Sequence, residues 1–117
     1  MKIIIKATEL ELNDALKTYV TEKFAPMEKI VKSFEANGGL LLKVEIARTT
    51  HHHNKGNVFY VECSITIGDK VLRIEQTEQD MHAAIDLAQG RLKEELEQFK
   101  KKKMEKNRKE IDRIKNK

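Results

Sequence analysis

Residues 57–76 read NVFYVECSITIGDKVLRIEQ, and this stretch decides the fold. Phe59, Val61, Cys63, Ile65 and Ile67 alternate with Tyr60, Glu62, Ser64 and Thr66. That is the period-two pattern of a strand with one buried face. Gly68-Asp69 is a tight-turn signal between two such runs. Beyond it, Leu72 and Ile74 fall on one phase and Arg73 and Glu75 on the other. The stretch is therefore a hairpin with one face toward a second layer and the other toward water.

Working outward, residues 40–49 repeat the pattern, with Leu40, Leu42, Val44 and Ile46 against Leu41, Lys43, Glu45 and Ala47. The loop at residues 50–56 holds His51, His52 and His53. At the start of the chain, Ile3 and Ile5 alternate with Lys2, Ile4 and Lys6, a short strand over residues 1–7. Asn13 is a good helix N-cap, and Asp14 suits the first turn. From there Leu16, Tyr19, Val20, Phe24, Met27, Ile30 and Val31 recur at helical spacing. Pro26 interrupts them, and a proline inside a helix costs roughly 3 kcal/mol. The expectation is a kink, or a break with Pro26 starting a second short helix. Asn37-Gly38-Gly39 ends the unit.

Downstream of the hairpin, Thr77 is the expected N-cap, with Asp80 three residues on as a variant capping box. Met81, Ala84, Ile85, Ala88, Leu92, Leu96 and Phe99 form a second apolar stripe, with Gly90 inside it. The order β-α-β-β-β-α implies an α+β, two-layer domain: a four-stranded sheet with both helices on one face, double-stranded-RNA-binding-like in outline. The first two strands, joined through a helix, are expected to be parallel with a right-handed crossover.

Charge divides the chain. Residues 100–117 contain ten Lys/Arg and three Asp/Glu, a net of +7. The whole chain is +4, so residues 1–99 carry −3. The expected organisation is a body, residues 1–99, and a basic C-terminal arm, residues 100–117. The arm has only Met104, Ile111 and Ile114 as apolar residues. It can pair Glu105 with Lys109 at i,i+4, and the reading leaves it partly helical or disordered. A polycationic arm points to a polyanion. The single Cys63 excludes an internal disulfide framework and any Cys-rich zinc site. No apolar run approaches a membrane span. The opening Met1–Lys6 is recharged too quickly for a signal peptide, so the expected setting is the reducing cytoplasm.

Asp80-Met81-His82-Ala83-Ala84-Ile85-Asp86 resembles the Asp-Met-Tyr-Ala-Ala-Ile-Asp opening of the last helix in the ribosome hibernation-promoting factor and ribosome-associated inhibitor family, with His82 in place of Tyr. Residues 16–23, Leu-Lys-Thr-Tyr-Val-Thr-Glu-Lys, and Val71-Leu72-Arg73 add to the likeness, which covers the chain to about Lys103. The resemblance implies a short-form member, a monomer when free. It implies binding to the small ribosomal subunit and its rRNA at the decoding centre. Idle ribosomes are then preserved and translation is blocked by occupying the mRNA and tRNA channel. It implies no catalysis and no cofactor.

The residues expected to meet RNA are Lys23, Arg48, Lys55, Arg91, Lys93, Lys100, Lys101, Lys102 and Lys103. Folded RNA is read by shape, phosphate and 2′-hydroxyl, so cations matter more than base-reading groups. Lys93 and Lys100, seven apart, share nearly one helical azimuth. Isolated Lys17, Lys29 and Lys32 read as ordinary solvated surface. His51–His53, flanked by Arg48 and Lys55, could stack on bases or donate to phosphates. The blander reading is an exposed polar loop, and three adjacent imidazoles do not converge readily on one metal ion. Cys63 lies on an inward phase and reads as a buried thiol. Asp80 and Asp86 read as acids favoured near a helix start. Paired carboxylates, a Ser-His-Asp set and a phosphate-cradling loop are all lacking, so an enzyme is a weak reading.

Alternatives stay open beside this one. Lys55-Gly56-Asn57-Val58-Phe59 faintly resembles an RNA-recognition-motif strand, but Asn57 occupies the first aromatic slot. A double-stranded-RNA-binding protein of other role shares α-β-β-β-α. A protein-interaction module with a solubilising tail predicts no salt-sensitive RNA binding.

Overall fold

The computed structural model describes residues 1–32, 40–49 and 58–115. The elements run β1 (Lys2–Thr8), α1 (Asp14–Phe24), α2 (Met27–Val31), β2 (Leu41–Thr49), β3 (Val58–Ile67), β4 (Lys70–Glu78) and α3 (Met81–Lys115). The sheet has four strands in the order β1-β2-β3-β4. β1 pairs parallel with β2, and the other two pairings are antiparallel. The expected α+β two-layer architecture is the one observed. The chain segment expected to end the first helical unit, Asn37-Gly38-Gly39, lies outside the described residues.

Strand phase determines the core. Leu42, Val44 and Ile46 from β2, Val61, Cys63 and Ile65 from β3, and Ile74 from β4 are buried under the helices. The helices answer with Leu16, Val20 and Phe24 from α1, Met27 and Val31 from α2, and Ala84, Ile85, Ala88, Leu92 and Leu96 from α3. On the outer face, register brings Glu45, Glu62 and Glu75 side by side across three strands. Like charges directly opposite repel. They are offset by Lys6 at 3.7 Å from Glu45, and by Arg73 at 3.0 Å from Glu62 and 2.6 Å from Glu75.

The turns follow local chemistry. Gly68 has φ +63° between β3 and β4, a left-handed angle that glycine adopts without steric cost. Asn13 Oδ1 accepts from the Leu16 amide at 2.8 Å, as its capping role requires. Pro26 breaks the helix, and with φ −60° it opens α2. The break re-aims the chain so that both Met27 and Val31 are fully buried.

One expectation needs correction, and a second gains detail. Thr77 is not the cap of α3: the β3–β4 ladder continues through Thr77, which pairs with Tyr60. Asp80 is the cap, accepting from the Ala83 amide at 2.8 Å. The arm, left open by the sequence as partly helical or disordered, is helical over its described residues, 100–115. α3 is one helix of 35 residues from Met81 to Lys115, roughly 52 Å at 1.5 Å per residue. It accounts for a molecule 65 Å long and 20 Å thick. Among the described residues no ion pair joins Glu105 to Lys109.

Gly90 lies within α3, and a Cβ built there meets nothing within 4 Å. Gly90→Ala is therefore expected to stabilise the fold by about 1 kcal/mol, raising Tm by roughly 4 °C. A thermal melt showing no gain would mean that the position is already strained or crowded.

Candidate nucleic-acid interface

α3 presents its cations on two sides, and its packing fixes which is which. On one side stands Asp86, which accepts from the Tyr19 hydroxyl at 2.6 Å and pairs with Lys23 Nζ at 3.3 Å. Tyr19 also meets the His82 ring edge-on, with centroids 4.5 Å apart. This side therefore faces α1. Lys93 and Lys100 follow Asp86 at seven-residue intervals, drifting only about 20° per step. Lys23, Lys93 and Lys100 thus share the α1 side. Lys93 is exposed and Lys100 is half-buried.

Arg91 points the other way. Its Nη1 donates to the Glu75 carbonyl at 2.7 Å and to Gln76 Oε1 at 2.9 Å. The guanidinium thereby covers backbone on β4, an edge strand that would otherwise offer unpaired groups to another chain. Arg91 and Lys23 do not form one strip. Lys101, Lys102 and Lys103 are all exposed on the arm.

Arg48 is not near the arm. It sits over the Phe59 ring at 5.8 Å from the centroid, close to the geometry of a cation–π contact. It lines an open groove of about 570 Å³ with Glu11, Tyr19, Met81 and His82. Phe59 and Ile67 lie at opposite ends of β3, roughly 27 Å apart at strand spacing. The arm passes the Ile67 end, where Lys102 and Lys106 lie beside Lys70. Lys55 and His51–His53 lie outside the described residues.

Two features escaped sequence reasoning. The Tyr19–Asp86 bond joins residues 67 positions apart, with no local signal to announce it. Lys70 was legible as a hairpin residue, but its place beside the arm depends on where α3 crosses the sheet.

The site offers little to covalent chemistry. Cys63 is fully buried, and its Sγ lies 3.8 Å from the Ala88 carbonyl oxygen. Burial pushes the thiol up to about 12, which suppresses the thiolate that a nucleophile needs. Among the described residues no group of three or more His, Cys, Asp or Glu is placed to hold a metal ion. No described helix is long and apolar enough to cross a membrane.

The Tyr19 hydroxyl is pushed up to about 12, first by its bond to Asp86, then by burial and by the charges of Asp86 and Asp80. Burial, followed by its bond to Glu62, pushes Tyr60 up to about 12 as well. An unfolded tyrosine titrates near 10. The neutral hydroxyl is the form favoured by folding, so this stability is present below about pH 10 and is lost as pH rises through about 12. Tyr19→Phe is expected to cost about 1 kcal/mol at neutral pH. It should also soften the fall in stability between about pH 10 and 12, leaving the Tyr60 and Cys63 contributions. Equal slopes for the two proteins in alkaline melts would show that Asp86 does not hold the hydroxyl.

The chain is similar to several known proteins. A family model described as Sigma 54 modulation protein / S30EA ribosomal protein matches residues 3–104. A ribosome hibernation promotion factor from Lactococcus lactis subsp. cremoris (strain MG1363) is 26% identical over 101 residues, covering 86% of this chain and 50% of that protein. The chain thus spans about half the length of this curated relative. The crystal structure of the Thermus thermophilus Protein Y N-terminal domain matches with a TM-score of 0.67 and 26% identity, over 85% of this chain and 99% of that one. A ribosomal subunit interface protein from Coxiella burnetii matches with a TM-score of 0.63, over 86% of this chain and 98% of that one. At 14% identity this second likeness shows the fold alone.

Proposed function

The chain belongs to the Sigma 54 modulation protein / S30EA ribosomal protein family, and from that premise we propose that it is a hibernation factor of the small ribosomal subunit. In this reading it occupies the decoding centre, excludes mRNA and tRNA, and keeps the idle ribosome intact. It acts in the cytoplasm as a free monomer, under conditions of stress, and catalyses nothing. Residues 1–99 form the ribosome-binding domain and residues 100–117 the basic arm.

The observation that carries the reading is the arm: a net +7 segment whose described residues, 100–115, are held out as a continuation of α3 from a body of this family. Folded rRNA offers phosphate and 2′-hydroxyl groups, which such a helix can meet without reading bases. Lys23, Lys93 and Lys100 would contact it on the α1 side, with Lys101, Lys102 and Lys103 further along. Arg91 would contribute through the N–H groups that β4 does not use. Arg48 and Lys55 would form a second contact, at the far end of the sheet.

Occupancy makes a stoichiometric demand. Inhibition of translation in vitro should rise linearly with added protein and saturate at about one per ribosome. Excess messenger and initiator tRNA should raise the dose needed, since competition for one space is reciprocal. A high-salt wash should restore activity, because ionic contacts weaken steeply with salt. Lasting inactivation by a small fraction of an equivalent would overturn the reading in favour of a catalytic toxin.

A further inference from the structure

The arm's charges are sorted by face. Positions 102, 106, 109 and 113, spaced four, three and four apart, fall within about 60° of one azimuth at 3.6 residues per turn. They hold Lys102, Lys106, Lys109 and Arg113. All four are exposed, and among the described residues none is held in an ion pair. The same spacing, started one residue earlier, gives Lys101, Glu105, Arg108 and Asp112. That face alternates in sign and can neutralise itself along the helix. Glu110 lies just outside the all-basic sector on its other flank.

The near end of this face lies beside the hairpin. Lys102 and Lys106, with Lys103, line a cleft of about 650 Å³ against the β3–β4 turn, where Lys70 adds a further cation. Asp69 and Glu110 are the acids in that cleft. Resting on the ribosome-binding reading above, we propose that Lys102, Lys106, Lys109 and Arg113, with Lys70 at their base, form a track for the phosphodiester backbone of one RNA strand. Cations recur about every 4.5–6 Å along some 16 Å of helix axis. No apolar residue lies in the sector; Ile67 and Phe99 line only the cleft at its base, where Ile67 belongs to the core and Phe99 packs against it, so the face lacks the free apolar anchor on which a protein partner depends. A regular polyanion needs none. Lys106, Lys109 and Arg113 lie beyond residue 104, where the family match ends, so the likeness to the family does not by itself supply them.

The test compares two variants that remove the same charge. Lys106→Gln with Lys109→Gln takes two cations from the track, and Lys17→Gln with Arg108→Gln takes one from the solvated surface of α1 and one from the alternating face. Binding to isolated small ribosomal subunits is measured across a salt series, with circular dichroism to verify equal helicity. The track pair should lower the slope of log K against log salt by about 1.4–1.8, roughly 30-fold in affinity at 0.1 M. The other pair should change the slope by less than half as much, and Lys70→Gln should lower it by about 0.8. Equal losses for the two pairs, or no effect at Lys70, would overturn the track. If the unmodified protein ignores small subunits, the hibernation reading fails. The two pairs are then compared on A-form duplex RNA, where unequal loss still supports the track and equal loss, or no binding, overturns it. Polyglutamate is the last probe: a track pair that loses polyglutamate but keeps RNA would assign the face to an acidic protein instead.

Discussion

A protein ending at Phe99 should fold normally and bind small ribosomal subunits about a thousand-fold more weakly at 0.1 M salt, with a much flatter salt dependence. The magnitude counts the four arm cations of the track alone, Lys102, Lys106, Lys109 and Arg113, each contributing roughly 0.7–0.9 to the slope; contacts by Lys100, Lys101 and Lys103 add to it. The body should not notice the loss. Residues 101–114 are exposed throughout, whereas the apolar face of α3 that covers the sheet ends with Leu96 and the partly buried Phe99. Denaturant unfolding should give the same midpoint within error, and the binding series then reads charge alone. An unchanged slope with weakened binding would mean that the arm acts through something other than phosphate.

The largest effect on stability is expected at Ile85. Its side chain is fully buried between α3 and the sheet. Ile85→Asp removes about 1.5–3 kcal/mol of apolar burial. It adds the several-kcal/mol penalty of placing a carboxylate where nothing pairs with it. Against a typical total of about 5–15 kcal/mol, the sum is enough to abolish cooperative folding. Leu87→Asp is the matched control. Leu87 lies two residues along the same helix but is 45% exposed, and its change should stay within about 0.5 kcal/mol. A melt for Ile85→Asp like that of the unaltered protein would place α3 the wrong way round on the sheet.

Periodicity made much of this fold legible. Leu42, Val44 and Ile46, and Val61, Cys63 and Ile65, declare their buried phase because a strand offers only two faces. Pro26 declares the helix break because it lacks an N–H. The cap of α3 was harder. Thr77 and Asp80 are both competent caps, and only the extension of the β3–β4 ladder to Glu78 removes Thr77 from contention. The cations were the least legible. Arg91 and Lys93 are two residues apart, yet one faces β4 and the other faces the α1 side. Composition counts charges, but the neighbours that claim them are set by tertiary packing. Family resemblance named the partner class without deciding which lysines face which way.

The continuity of α3 carries a consequence for how the arm is ready to act. An isolated helix of the arm's length is marginal in water, because its first turn must be nucleated at a cost set by σ of roughly 10⁻³. Here the turns clamped by Ala84, Ile85, Ala88, Leu92 and Leu96 have already supplied that nucleus. Residues beyond Phe99 need only propagate it, which a sequence rich in Lys, Arg and Glu does readily. The body therefore acts as a template that keeps the arm's charges in register before any partner arrives. Binding is spared the ordering entropy, about 1–2 kcal/mol per residue, that a coiled tail would forfeit at the moment of contact.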